Sequence, residues 1–292
     1  MIQRERIGHL DQVALATSGS AVDLRPYGGI ELRLHPERGL DVGAAWFRGT
    51  PLAWIAPAGE GGRRAETWGD SWGGGLVTTC GLDNVGVPSE GVGQHGTFTF
   101  LEAEDVELTR DDSGVVCRAT IRDPRGLRVE RTISSALGAG RVELVDRTTN
   151  DADGPLEALL LYHVNLGWPL WDEGAVVDSD AAEVVPRDDA AAPHDWRAAP
   201  TPVAAPERVW EHLGANRVTV RNDRLALRVA VESSLPRLWQ WVEPKPGVYV
   251  LGVEPANCSV LGRAHDRAES RLPMLAPGEA RTTTLLVTAE AT

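Results

Sequence analysis

The 292-residue chain carries 42 acidic and 29 basic side chains, and its net charge of −13 at pH 7 opposes binding to nucleic-acid phosphates and anionic lipid headgroups. No apolar run approaches the roughly 20 residues that span a bilayer, and the polar N-terminus does not resemble a signal peptide. We therefore expect a cytoplasmic protein without nucleic-acid or membrane partners. Three widely spaced cysteines, with no Cys-x-x-Cys pair, are predicted to be buried thiols.

Short segments of alternating apolar and polar residues, separated by turn residues, dominate the chain and are typical of antiparallel β-sheet. Helical periodicity nowhere extends beyond about ten residues. The pattern predicts an all-β sandwich with very little helix, formed by residues 1–292 as a single domain. The clearest predicted strands are residues 96–101, 115–122, 127–134, 141–148, 217–221, 225–232, 248–253 and 281–288.

Near the start of the chain, Arg38 and Asp41 flank a glycine turn. The planar guanidinium of Arg38 could hold substrate hydroxyls, or it could simply pair with Asp41. Ten tryptophans, against three tyrosines and three phenylalanines, are unevenly placed, and several lie beside the segments considered next. Indole faces suit the apolar CH surface of a sugar ring and pack equally well in a protein core.

The segments 79–86 and 93–96 are dense in glycine and lead to His95. Glycines at this density permit tight turns and close approach of a ligand to the backbone. His95 is therefore a candidate catalytic residue, and Gln94 and Asp83 are candidates for substrate binding. An ordinary loop with an exposed histidine would produce the same pattern.

The apolar run 159–169 ends in a histidine, an asparagine and a tight turn. If this run is a β-strand, His163 and Asn165 share one face. A polar pair at the end of an apolar strand, beside Trp168, is typical of a small-molecule site on a rigid sheet. Alternatively, His163 is a core histidine that is hydrogen-bonded by Asn165.

Two later segments complete the set of candidates. Residues 180–205 are rich in Ala, Pro and Asp between strand-like regions, which favours an active-site loop over a domain linker. In residues 249–258 an apolar strand ends in Glu254, where partial burial would raise the carboxyl pKa and improve it as a base near neutral pH. A salt bridge to an arginine would explain Glu254 equally well.

Four segments together resemble the aldose 1-epimerase (galactose mutarotase) superfamily, and in particular a poorly characterised bacterial branch of it. These segments are Arg38-Gly39-Leu40-Asp41, Thr79-Cys80-Gly81-Leu82, Leu161-Tyr162-His163-Val164-Asn165 and Glu254-Pro255-Ala256-Asn257-Cys258. The resemblance covers nearly the whole chain. It implies a galactose-mutarotase-like β-supersandwich whose open concave face binds a monosaccharide or a sugar derivative.

The resemblance also implies an activity, that of an isomerase that interconverts sugar anomers by acid–base ring opening without a metal or organic cofactor. The histidine matching His163 is the general acid on the ring oxygen, and the glutamate matching Glu254 is the base on the anomeric hydroxyl. We expect the two on opposite sides of the pyranose. The histidine matching His95 polarises the sugar, and Arg38, Asn165, Gln94, Trp168 and Asp83 are expected to contact it.

Two other functions are compatible with the same residues. A concave β-sandwich lined by Trp and Arg can bind a sugar without any chemistry. An isomerase or lyase acting on an oxidised or modified sugar could instead use His95, His163 and Glu254 as ligands of a divalent metal.

Overall fold

The computed structural model describes residues 9–15, 19–60 and 67–292, and the regular structure in this part of the chain is almost entirely antiparallel β-sheet. An eleven-stranded sheet contains β1 (His9–Leu15), β2 (Gly19–Arg25), β3 (Ile30–His35), β4 (Asp41–Phe47), β5 (Thr50–Pro51), β6 (Val77–Leu82), β12 (Leu159–Leu166), β14 (Glu183–Pro186), β15 (Arg208–Leu213), β18 (Arg237–Glu243) and β19 (Val250–Ala256). An eight-stranded sheet contains β7 (Ala103–Asp111), β8 (Gly114–Arg122), β9 (Leu127–Ala136), β10 (Arg141–Asn150), β13 (Ala175–Ser179), β16 (Arg217–Asn222), β17 (Leu227–Ser233) and β21 (Ala280–Ala291). A separate ribbon pairs β11 (Leu156–Glu157) with β20 (Met274–Leu275).

Helix is confined to short pieces among the described residues. These are α1 (Trp68–Ser71), α2 (Arg263–Ala268) and the 3₁₀ turns Pro36–Arg38 and Phe98–Phe100. None of the helices within the described ranges has the length and apolar character needed to cross a membrane. The prediction of an all-β protein with very little helix is confirmed.

The centre of the eleven-stranded sheet follows the order β4-β6-β12-β19-β18-β15. Strand β12 has a neighbour on each side, and all eight of its residues are buried. Alternate residues of a strand point to opposite faces. Tyr162 and Val164 accordingly belong to the main core between the two large sheets, while Leu159 and Leu161 belong to a smaller apolar cluster on the other face.

Most of the predicted strands are present with slightly different ends, but the prediction of a strand at residues 96–101 is wrong. His95 and Gly96 have positive φ angles of 57° and 70°, and the following residues form the turn Phe98–Phe100. Phe98 is fully buried. The apolar alternation therefore reflects a tight turn that places one aromatic ring in the core, and not an extended backbone.

The segment 180–205 is partly a strand and partly a loop. Its first portion forms β14, which pairs with β15 at one edge of the eleven-stranded sheet. The remainder returns across the protein, where the backbone oxygen of Pro200 accepts a hydrogen bond from the hydroxyl of Tyr249. This loop therefore lies close to the strand that carries Glu254.

We propose that residues 1–292 fold as one cooperative domain, because apolar side chains of both large sheets form one continuous core cluster. Thermal unfolding followed by far-UV circular dichroism and by tryptophan fluorescence should give coincident single transitions. Two transitions at separate temperatures would contradict the single domain.

Candidate active site

One face of the eleven-stranded sheet points away from the main core. A row of four side chains crosses this face in the order Thr78, His163, Glu254 and Trp239. The strand register pairs Thr78 on β6 with His163 on β12, and it pairs Glu254 on β19 with Trp239 on β18. The register between β12 and β19 places His163 beside Glu254. Two residues that are distant in sequence are thus brought together on two adjacent interior strands of the sheet.

His163 and Glu254 are in direct contact. The Nε2 atom of His163 lies 3.1 Å from Oε1 of Glu254, and both side chains are buried. The contact is not an aligned hydrogen bond, and neither Oε1 of Glu254 nor Nδ1 of His163 has a hydrogen-bond partner among the described residues. Buried polar atoms without partners are destabilising, so polar atoms of a ligand would be stabilised here.

Burial favours the uncharged form of each member of the pair. It raises the pKa of Glu254 to about 8, with a smaller contribution from the negative charge of Glu207. Burial also lowers the pKa of His163 to about 3, and the neighbouring His95 adds to this shift. Near neutral pH the pair therefore holds one proton, on the carboxyl group. The roles expected from the sequence require an ionised Glu254 and a protonated His163. That arrangement also holds one proton, but the proton is on the imidazole of His163 and not on the carboxyl group of Glu254.

A glycine provides the space in which the pair meets. Gly252 lies two residues before Glu254 on β19 and therefore on the same face. A Cβ atom at this position would lie 2.7 Å from Oε1 of Glu254 and 3.0 Å from Cε1 of His163. Any side chain at Gly252 would therefore displace the carboxyl group from the imidazole.

His95 reaches the pair from the glycine-rich segment. Its ring centroid lies 5.9 Å from that of His163. The backbone N–H of Gly86 donates to Nδ1 of His95 at 3.4 Å, so Nε2 carries the proton. Burial lowers the pKa of His95 to about 4, which keeps this ring neutral near pH 7. His95 can therefore donate a hydrogen bond without bringing a charge into the site.

Three tryptophans surround these residues. Ring centroids of Trp72 and Trp241 lie 5.1 Å and 5.4 Å from that of His163, and Trp68 lies 4.5 Å from His95. Together they enclose a cavity of about 220 Å³, here called the inner cavity. Its lining residues are Trp68, Gly69, Trp72, Gly86, Val87, Gln94, His95, His163, Arg187, Glu207, Val209, Trp241, Glu254 and Val260.

Arg187 and Glu207 are lining residues that the sequence analysis missed. They flank the loop after β14, and Nη2 of Arg187 lies 3.1 Å from Oε1 of Glu207. The other oxygen of Glu207 accepts a hydrogen bond from Trp241 Nε1 at 2.7 Å. The available signal was the predicted active-site loop itself, since Arg187 lies within residues 180–205. Its composition gave no reason to select this arginine.

Two residues predicted to bind substrate near His163 do not line the inner cavity. The side-chain amide of Asn165 is fully buried and donates to the backbone oxygens of Gly75 and His163, each at 2.9 Å. It stabilises the backbone around the site instead. Trp168, just beyond β12, is 69% exposed.

Asp83 and Arg38 also lie outside the inner cavity. Oδ1 of Asp83 accepts a hydrogen bond from the backbone N–H of Thr97 at 2.9 Å, which fixes the turn after His95. Arg38 is buried, with its guanidinium 5.5 Å from the ring centroid of Phe100. Of the five residues predicted to contact substrate, only Gln94 lines this cavity. Within the described ranges, no three His, Cys, Asp or Glu residues are grouped so as to hold a metal ion.

The same fold occurs in solved structures of low sequence identity. A Klebsiella pneumoniae protein named "putative aldose 1-epimerase" is 21% identical, with a TM-score of 0.86 over 96% of this chain and 83% of its own. A "galactose mutarotase related enzyme" from Lactobacillus acidophilus is 14% identical, with a TM-score of 0.65 over 93% and 98% of the two chains. A "galactose mutarotase-like protein" from Clostridium acetobutylicum is 11% identical, with a TM-score of 0.65 over 98% and 99%. The galactose-mutarotase-like β-supersandwich expected from the sequence is confirmed.

Sequence comparison gives a family but no characterised relative. No curated protein matches the chain. Residues 16–289 match the family described as "Domain of unknown function (DUF4432)". Because this match extends over nearly the entire sequence, the chain belongs to the DUF4432 family.

Proposed function

We propose that the protein is an isomerase that interconverts the anomers of a sugar, with His163 and Glu254 as the pair that transfers protons. The observation that carries this proposal is the unpartnered, buried Oε1 of Glu254, 3.1 Å from Nε2 of His163 in a cavity walled by tryptophan. The names of the solved structures that share the fold support the same class of reaction.

Anomer exchange requires two proton transfers at neighbouring oxygens. A base removes the proton of the C1 hydroxyl while an acid delivers one to the ring oxygen; the bond between C1 and the ring oxygen breaks, and C1 becomes an aldehyde. Rotation about the bond from C1 to C2 and the reverse transfers close the ring on its other face. Both oxygens are bonded to C1, so two groups in contact with each other can reach both.

The geometry of the pair differs from the expected arrangement on opposite sides of the sugar. His163 and Glu254 lie side by side on neighbouring strands, and a 3.1 Å separation leaves no room for a ring between them. The sugar would therefore present the edge that carries C1 to the pair. A pair that holds one proton supplies one acid and one base, whichever partner carries it.

Other lining residues would orient the sugar. The neutral ring of His95 donates from Nε2, and Gln94 and Arg187 place further donors around the inner cavity. The faces of Trp68 and Trp72 suit the apolar CH surface of a pyranose. These contacts would hold C1 at the pair, and such positioning is itself a large part of catalysis.

Replacing either member of the pair should abolish most of the activity. We expect His163→Asn and Glu254→Gln each to lower turnover by roughly 10²-fold or more, because each removes one proton-transferring group. The double variant should be scarcely worse, since the two act as a unit. Proton NMR time courses of anomer exchange across a panel of aldoses provide the measurement.

The matched control is His194→Asn, which changes an exposed histidine that does not line the inner cavity. It should retain wild-type activity. A His163→Asn protein that melts normally and still exchanges anomers at the wild-type rate would exclude the proposed pair.

The activity should depend on the single proton of the pair. We expect kcat/KM to be constant from about pH 5 to 7 and to fall above about pH 8, where Glu254 loses its proton. The acidic limb should lie near pH 3, where His163 becomes protonated. The measurement is kcat/KM against pH, corrected for spontaneous exchange; a rise through pH 8 would contradict the proposed protonation state.

A methyl group at Gly252 should misplace the pair without unfolding the protein. Gly252→Ala is expected to lower kcat by about 10- to 100-fold, because the added Cβ meets the Glu254 carboxyl group at 2.7 Å. Alanine loses less backbone entropy on folding than the glycine it replaces, so the melting temperature should be retained. Gly154→Ala is the control, since a Cβ there meets nothing within 4 Å. Equal activity of the two variants would show that the close contact is not needed.

A further inference from the structure

A second and larger cavity opens directly beside the inner cavity. We call it the outer groove and define it by Trp54, Gly69, Asp70, Trp72, Trp241, Glu243 and Val248. It shares Gly69, Trp72 and Trp241 with the inner cavity, so the two spaces adjoin along these residues. A Cβ at Gly69 would meet nothing within 4 Å, so the space beside this shared residue is open.

The sizes of the two spaces indicate a ligand larger than one sugar ring. The inner cavity, at about 220 Å³, is smaller than the roughly 300–1,000 Å³ typical of small-molecule pockets. The outer groove, at about 660 Å³, lies within that range. A single ring placed at the His163–Glu254 pair would therefore leave the greater part of the two adjoining spaces unfilled.

The walls of the outer groove suit a neutral sugar. Trp54 packs against Trp72 with ring centroids 5.0 Å apart, and Trp72 meets Trp241 at 5.8 Å, so indoles line the groove from its outer wall to the inner cavity. Indole faces pack against the CH surface of a pyranose. The carboxylates of Asp70 and Glu243 are acceptors for its hydroxyl groups.

Acidic side chains outnumber basic ones among the described residues that line the outer groove. No arginine or lysine is among the described residues that line it, whereas two carboxylates are. A uronate or a phosphate placed there would meet the carboxylate of Asp70, whereas the carboxylate of Glu243 is already paired with Lys245 Nζ at 3.1 Å.

We infer that the outer groove is a second glycosyl subsite and that the substrate is a neutral reducing disaccharide or longer oligosaccharide. Its reducing ring would occupy the inner cavity, and the next unit would lie between Trp54 and Val248. This inference rests on the proposed function, because it places the reducing carbon at the His163–Glu254 pair.

The test compares kcat/KM for anomer exchange of cellobiose, maltose and gentiobiose with that of glucose, by proton NMR. The wild-type protein should prefer at least one disaccharide by roughly tenfold, the value of a good aromatic contact. Trp54→Ala should remove this preference and leave glucose within about twofold of wild type. Trp168→Ala, which removes an exposed indole outside both cavities, should change neither.

A second variant adds bulk instead of removing packing. Val248→Trp should fill the outer groove and reduce the rate with disaccharides but not with glucose, because Val248 does not line the inner cavity. This variant decides the question if Trp54→Ala fails to fold, since Trp54 also packs against Trp72.

The results separate the subsite from the proposed function. If glucose is exchanged, no disaccharide is preferred and neither variant alters the ratio, the subsite is wrong and the isomerase remains. If no sugar is exchanged, the isomerase is wrong, and calorimetric binding of the three disaccharides then decides the subsite alone. Weaker binding by Trp54→Ala would support it, whereas equal or absent binding would overturn it.

Discussion

The buried ion pair between Arg131 and Asp146 determines which face of β12 carries the site. The guanidinium donates to the carboxylate at 2.8 Å and 2.7 Å, and the Tyr162 hydroxyl donates to the same carboxylate at 2.8 Å. All three side chains are fully buried, and loss of one partner of such a pair costs about 3–5 kcal/mol. Tyr162 is therefore held between the sheets, and strand alternation turns His163 to the opposite face. A one-residue slip of β12 would place the imidazole in the main core and the phenol in the site.

Burial of that opposite face shifts the pKa values of His163 and Glu254. A carboxyl group in water would be ionised at neutral pH, whereas the raised pKa of Glu254 lets it keep a proton within reach of an imidazole that carries none. The apolar cluster that includes Trp68 and Trp239 provides this dry environment, and Gly252 lets the two groups touch. The buried atoms that lack hydrogen bonds are thus a consequence of the same packing that adjusts the pKa values.

The sequence predicts the strands and the two central residues of the site because both depend on local patterns. His163 and Glu254 interrupt apolar runs, and a titratable group within a buried strand is visible without knowing its neighbours. Arg187 and Glu207 could not be found in this way, because they reach the inner cavity only through the pairing of β14 with β15 and of β15 with β18. The strand wrongly predicted at residues 96–101 has the same origin, since alternation does not reveal positive φ angles.

Two tryptophans, Trp72 and Trp241, line both the inner cavity and the outer groove. Trp72 Nε1 donates to Thr78 on β6 at 3.0 Å, and Trp241 on β18 pairs with Gly252. The two indoles are therefore attached to β6 and β18, which flank the strands that carry His163 and Glu254, so a ligand held between them would be positioned relative to His163 by the sheet itself. In the proposed reaction, contacts with a second sugar unit would be the same before and during ring opening, and uniform binding of this kind lowers KM without raising kcat. The barrier of the proposed reaction would depend instead on the pair and on Gly252, so the inner cavity would determine the rate and the outer groove would determine which sugar is present to react.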